Sequence, residues 1–312
     1  MDAADLSRCF ALGGAARLSD GPVARGKQGA VWRLETDAGR WAVKIPFQPV
    51  SEDEVQLSTV FQEAAHAAGV PTPQVRRTTE GKVLADVDGR SVRVYEWVDL
   101  LPPDFGFDPA RVGAIVARLH QVPAPEPGRP HPWYTTPVGA ERWDELLGQL
   151  RAAGAPFAGR LAGLRDELVA LEAWLEPPPQ QLRVCHQDLW ADNLLPTVDG
   201  GLCVIDWENA GAADPSQELA QVLYEFAHGD AGRARTLAEA YRAAGGPGEV
   251  SRPGHFSMLI AQLGHITELA ATDWLQPNPR SPDRAAAEAW ISEGFDDPLT
   301  RVVLEQIMRA VA

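Results

Sequence analysis

Lysine is nearly missing from this chain: only Lys27, Lys44 and Lys82 occur, all in the first third of 312 residues. Basic charge is short overall, with 28 Lys and Arg against 43 Asp and Glu, a formal net charge of −15. Nucleic-acid phosphates demand a basic surface, so a nucleic-acid partner is not expected. Cysteine is also sparse. Cys9, Cys185 and Cys203 make neither an even disulfide framework nor a CxxC pair, and read as reduced thiols of a cytoplasmic protein. No apolar run approaches twenty residues, so no membrane span or membrane partner is expected. The opening Met1-Asp2-Ala3-Ala4-Asp5 is acidic where an export signal is basic. The histidines lack HxH and HxxxH spacing, so zinc is not indicated.

What is present is an ordinary globular composition, 45% hydrophobic and 23% charged, in a length that suits two modest domains. Charge is uneven. Residues 1–100 carry 14 acids and 12 bases, whereas residues 101–229 carry 18 acids and 8 bases, a balance of −10.

Residues 21–99 read as strands with one helix. Runs at 30–36 and 40–46 flank Asp37-Ala38-Gly39, a hairpin signal. Residues 52–68 are rich in helix formers and end at Gly69-Val70-Pro71. Further strands follow at 74–79, 82–87 and 90–98. After Leu101-Pro102-Pro103 the pattern turns helical: 109–121, 139–153, 156–175, 216–228, 231–244, 254–274, 282–294 and 298–311. Short apolar strands at 182–185 and 202–205 interrupt it. The expected domains are 1–98 and 99–312.

The strongest chemical signal is His186-Gln187-Asp188-Leu189-Trp190-Ala191-Asp192-Asn193, an H-x-D-x-x-x-x-N pattern between those two short strands. The second strand ends in Asp206, eighteen residues past Asp188. Phosphoryl transfer needs a carboxylate to orient the attacking hydroxyl and oxygen ligands for Mg2+. Asp188 suits the first task, and Asn193 with Asp206 suits the second, since Mg2+ takes few protein oxygens beside water and phosphates.

Upstream, Ala24-Arg25-Gly26-Lys27-Gln28-Gly29-Ala30-Val31 matches G-x-G-x-x-G-x-V except at Ala24. Gly26 and Gly29 would let backbone N–H groups approach phosphates. One hairpin later, Trp41-Ala42-Val43-Lys44-Ile45 alternates so that Ala42 and Lys44 share a face. Ala42 can roof a purine while Lys44 reaches the phosphates. A helix carboxylate, Glu63 by spacing or else Glu54, is expected to orient Lys44. Tyr95-Glu96-Trp97-Val98 closes the strand region where a hinge should lie, with the Glu96 carbonyl and Val98 N–H reading the purine edge.

This order of loop, lysine strand, helix, hinge, H-x-D-x-x-x-x-N and strand-end Asp resembles the aminoglycoside phosphotransferase and choline kinase group. Ile205-Asp206-Trp207-Glu208, Ala213-Asp214-Pro215, Glu218-Leu219-Ala220 and Val116-Ala117-Arg118-Leu119-His120 are similar to that family's D-W-E, G-D-P, D-L-A and L-H elements. The resemblance implies an α+β, bilobal protein kinase-like fold: a mostly antiparallel sheet lobe with one helix, then a larger, mainly helical lobe. It implies Asp188 as the catalytic carboxylate, Asn193 and Asp206 as metal ligands, Lys44 as the phosphate-binding residue, and Tyr95 as gatekeeper. ATP or GTP is the expected donor and a small-molecule hydroxyl the acceptor.

Gln187 and Ala24 stand where glycines are common in the family. Glu218 stands where Asp is frequent, and Asp192 where Gly is. A protein kinase is disfavoured, because neither D-F-G nor A-P-E follows the H-x-D-x-x-x-x-N pattern and about ten residues separate Asp206 from the next helix. A pseudokinase scaffold would have lost one of Lys44, Asp188, Asn193 or Asp206. The acidic middle segment suggests a cationic acceptor, such as an aminoglycoside or basic peptide antibiotic. Macrolides, sugars, choline and homoserine are the alternatives. No obligate protein partner is indicated.

Overall fold

The computed structural model describes residues 1–26, 29–276 and 284–312. Lys27 and Gln28 of the Gly-rich segment, and the start of the helix expected at 282–294, lie outside the described residues. Contacts divide the chain into two compact units. The first holds Met1–Phe105, Val122–Glu126 and His186–Gly211, and the second the remainder. Residues 186–211 therefore cluster with the N-terminal segment, which differs from a single cut at residue 98.

The first unit is built on a seven-stranded, wholly antiparallel sheet. Its strands are β1 (Arg17–Leu18), β2 (Ala24–Arg25), β3 (Gly29–Thr36), β4 (Gly39–Pro46), β5 (Val75–Arg76), β6 (Ala85–Val87) and β7 (Arg90–Glu96). The main order is β1-β3-β4-β7-β5, with β2 on β3 and β6 on β7. The hairpin at Asp37-Ala38 pairs Thr36 with Gly39, as its turn residues predict. Strands β5 and β6 are shorter than expected, because the 78–82 segment turns back on itself through Thr78 N to Lys82 O and through Gly81 at φ +80°.

Alternation makes one sheet face apolar. Leu34, Val43, Ile45, Val92 and Val94 pack there against Leu6 and Phe10 of helix α1 (Ala3–Phe10). Helix α1 has no counterpart in the sequence reading. It is eight residues long, too short for a periodic signal, and is set by its Asp2 N-cap. Helix α2 (Glu52–Ala67) begins at a capping box in which Ser51 and Glu54 satisfy each other's backbone N–H.

The second unit contains α3 (Pro109–His120), α4 (Ala140–Ala152), α5 (Ala158–Glu172), α6 (Pro215–Ala227), α7 (Ala231–Ala243), α8 (Ser257–Leu275), α9 (Arg284–Asp296) and α10 (Arg301–Val311), with strand β8 (Arg183–Cys185). The A-D-P element starts α6: Asp214 accepts from Ser216 N at 2.8 Å and Pro215 fills the first turn. Helices α4, α5, α8 and α9 enclose one core that includes Trp143, Leu146, Phe157 and Trp274. Trp274 is buried in it and Trp290 packs against it, so both serve packing. No helix among the described residues is long and apolar enough to cross a membrane.

Candidate active site

Within the first unit, strands β9 (Leu194–Pro196) and β10 (Leu202–Val204) pair with Leu194 opposite Val204. The residues before β9 and after β10 consequently meet at one end, where Ile205 N donates to Asn193 O at 2.9 Å. His186 Nε2 donates to the Ile205 carbonyl at 3.0 Å, and its ring meets Trp207 edge-on at 4.8 Å. Trp207 is clamped by Phe61 of α2 at 5.5 Å and by a 2.9 Å bond from Nε1 to Thr72 Oγ1. Buried aromatic packing thus ties the D-W-E segment to α2.

Asn193 Nδ2 donates to both the carbonyl (2.9 Å) and Oδ2 (3.0 Å) of Asp188. Asn209 Nδ2 also donates to Oδ2, at 3.0 Å. Burial raises the Asp188 pKa, against the pull of His186 and the two asparagines. Gln187 and Asp206 both adopt left-handed backbone, at φ +64° and +60°. That costs a non-glycine residue about 1–2 kcal/mol, which explains why glycine suits position 187. Such strain clusters at functional sites.

The polar face of the sheet carries the second half of the site. Cross-strand register sets Lys44 opposite Val31 and Arg93, and Ala42 opposite Arg33 and Tyr95. Ala42, Lys44, Arg93 and Tyr95 therefore share the face opposite the α1 core. Gly29 sits where an added Cβ would lie 2.7 Å from Ile45 O, so strand β4 alone requires a glycine there. Gly26 N donates to Gly29 O at 2.9 Å. At the end of β7, Glu96 N donates to Gln74 O and Trp97 N to Arg40 O. Asp99 pins the segment by accepting from both Arg40 nitrogens (3.0 and 2.7 Å) and from Trp97 Nε1 at 2.8 Å. Val98 lies between those anchored residues.

The expected helix partner of Lys44 requires correction. Glu63 forms a two-pronged pair with Arg77 at 2.7 and 2.8 Å, because the guanidinium fork matches a carboxylate and an ammonium does not. Glu54 is held in the Ser51 capping box. Lys44 Nζ instead lies 2.8 Å from Asp206 Oδ1 and 2.8 Å from Glu208 Oε1. Burial works against its charge, but Glu208 and Asp206 outweigh that and hold its pKa above the usual value. Burial alone would raise Glu208, yet Lys44, Asp206 and Arg93 together hold it below the carboxylate range. Asp206 is raised by burial and by Glu208. Since 45% of the Asp206 side chain is open to solvent, water tempers that rise.

Arg93, Glu208 and Asn209 were not identified as site residues from the sequence. A signal existed for Arg93, a cation in an apolar strand just as Lys44 is. A magnesium ion fits the donor set here. Asn193 and Asp206 offer hard oxygens, and the buried Glu208 Oε2 has no hydrogen-bond partner among the described residues.

In the second unit, the L-H and D-L-A elements meet. His120 Nε2 lies 2.7 Å from Glu218 Oε2 and its Nδ1 2.7 Å from Tyr241 OH. Tyr241 OH accepts from Gly248 N at 2.8 Å, so its own proton goes to His120 and the histidine donates to Glu218. Cys185 is fully buried beside them, and burial pushes its thiol up.

Residues 21–255 match the phosphotransferase enzyme family, APH. A thiamine kinase of Salmonella typhimurium is 44% identical over 68 residues, 22% of this chain and 23% of that protein. A homoserine kinase of Methylobacterium radiotolerans is 27% identical over 198 residues, 61% of this chain and 58% of that protein. The matched stretches thus span about a quarter and somewhat over half of those relatives' lengths. Among solved structures, a spectinomycin phosphotransferase in complex with ADP and spectinomycin superposes with a TM-score of 0.72 at 14% identity, covering 99% of this chain and 97% of that one. A choline/ethanolamine kinase family protein of Mesorhizobium loti gives 0.53 at 22% identity, covering 93% of each. The fold is therefore kinase-like.

Proposed function

We propose for this chain, which belongs to the phosphotransferase enzyme family and is a small-molecule kinase, transfer of the γ-phosphoryl group of ATP or GTP to a hydroxyl of a cationic small molecule. The observation that carries the reading is the convergence, within one unit, of Asp188, Asn193 and Asp206 with Lys44 on the facing sheet strand.

Asp188 orients the acceptor hydroxyl and takes its proton as the bond from acceptor oxygen to γ-phosphorus forms. The bond from that phosphorus to the bridging oxygen breaks, and the nucleoside diphosphate leaves. Asn193 and Asn209 both donate to Asp188 Oδ2 and so fix the orientation of the carboxylate. Lys44 offsets phosphate charge, and charge stabilisation with alignment supplies most of the catalysis in such reactions. Mg2+ held by Asn193 and Asp206 would add charge neutralisation on the phosphates when bound. Ala42 and Tyr95 bound the base site, and the backbone at Glu96 and Val98 reads the base edge.

The cationic acceptor is supported by the −10 balance of residues 101–229, since clustered negative charge concentrates cations. It is also supported by relatives named for thiamine, choline/ethanolamine and spectinomycin, all hydroxylated or amine-bearing cations in water. The test is an acceptor panel with a coupled ADP/GDP assay. Cationic alcohols should turn over best, with a KM that rises with ionic strength while kcat holds. A best acceptor that is neutral or anionic, or a KM indifferent to salt, overturns the cationic part and leaves the kinase standing.

A further inference from the structure

Lys44 and Arg93 are directly opposite each other on β4 and β7, and both carry positive charge. Like charges in that position repel. Arg93 is 3% exposed, and a buried guanidinium is tolerated only when paired. A single atom resolves both problems. Glu208 Oε1 lies 2.8 Å from Lys44 Nζ and 2.9 Å from Arg93 NH1. Arg93 NH2 donates in turn to Thr59 Oγ1 of α2 at 3.1 Å. The guanidinium also lies 5.3 Å from the centroid of the Tyr95 ring.

We propose that Glu208 and Arg93 are the positioning residues for Lys44, doing from the D-W-E segment what a helix carboxylate was expected to do. This rests on the kinase reading above. Three of the four acids of α2 are otherwise engaged, Glu63 by Arg77, Glu54 by Ser51, and Glu52 by the backbone N–H groups of Val83 and Leu84, while Asp53 is exposed in the first turn. Arg93 acts through Glu208. It anchors the carboxylate to the sheet and, through Thr59, to α2, so that Oε1 presents a fixed site to the ammonium. The ammonium is then held where it can leave Asp206 for a phosphate oxygen without losing its second partner.

The experiment is calorimetry on the full chain with non-hydrolysable ATP and GTP analogues and with the parent nucleosides, with and without Mg2+. The variants are Arg93→Met, Glu208→Gln and the double substitution. In Arg93→Met and Glu208→Gln, triphosphate affinity should fall at least about tenfold, including without Mg2+, and kcat by on the order of a hundredfold, as for a misplaced catalytic group. Nucleoside affinity should stay within about twofold, because it does not draw on Lys44. The double variant should bind triphosphate better than Glu208→Gln, since the opposing buried cation is gone. It also keeps the test open if a single variant fails to fold.

Unchanged triphosphate affinity overturns the inference, as does an equal loss for nucleoside and triphosphate, which marks a structural role. A loss confined to Mg2+ conditions overturns it too, because Glu208 would then act on the metal. Wild-type protein that binds no triphosphate would instead overturn the kinase reading itself.

Discussion

Asn193 donates its side-chain nitrogen to both the main-chain and side-chain oxygens of Asp188, at 2.9 and 3.0 Å. The five-residue spacing of the H-x-D-x-x-x-x-N pattern is thus the span of one closed loop. Asp188 is aimed by its own motif, and burial raises its pKa, which makes it a better proton acceptor than a solvated aspartate.

In the proposed mechanism, Asp188→Asn keeps the loop geometry and removes the acceptor of the hydroxyl proton. Turnover should fall by at least about a hundredfold, the lower range for a lost general base, with nucleotide affinity nearly intact by calorimetry. Asp206→Asn should weaken metal–nucleotide binding as well. An Asp188→Asn protein with most of its turnover would show that another group receives the proton.

Glu63→Gln distinguishes the observed pairing from the helix-carboxylate alternative. Its partner is Arg77, and both side chains are about one-third exposed, so the change should cost about 1 kcal/mol or less in urea unfolding. Steady-state kcat and nucleotide KM should stay within about twofold. A collapse of kcat would mean that Glu63 swings to Lys44 during the reaction.

Tyr95 shares its sheet face with Ala42 and Lys44 and lies under the Arg93 guanidinium. In the proposed nucleotide site its ring would limit the depth available to the base. Tyr95→Ala should shift donor preference toward ATP, measured as the ratio of kcat/KM for ATP and GTP. An identical ratio in both proteins removes Tyr95 from nucleotide discrimination.

Gly113 marks the close crossing of α3 and α7 in the second unit. A Cβ there would lie 2.3 Å from Leu237 O and 3.0 Å from Tyr241 N, so the helices must separate to admit one. Gly113→Ala should lower stability by about 1–3 kcal/mol, the usual range for overpacking, read as a shifted urea midpoint. Stability equal to wild type would show that the crossing yields without strain.

The sequence by itself determined the antiparallel strand region, every helix longer than α1 among the described residues to within a few residues, and the motif order that identifies a kinase. Those features are local. Alternation, caps such as Asp214-Pro215 and Ser51, and the turn at Asp37-Ala38 act over a few residues and can be read along the chain. Tertiary structure alone decided how the charged residues are shared. Lys44 and Glu208 are 164 residues apart and meet only because Phe61 and Thr72 clamp Trp207 against α2. Spacing along α2 singled out Glu63, but which carboxylate a cation takes depends on competing partners, and Arg77 outcompetes Lys44 with two bonds to one. The same holds for Arg93. Its place in an apolar strand marks it as unusual, while the burial that demands a partner, and the acid that supplies it, exist only in the folded chain.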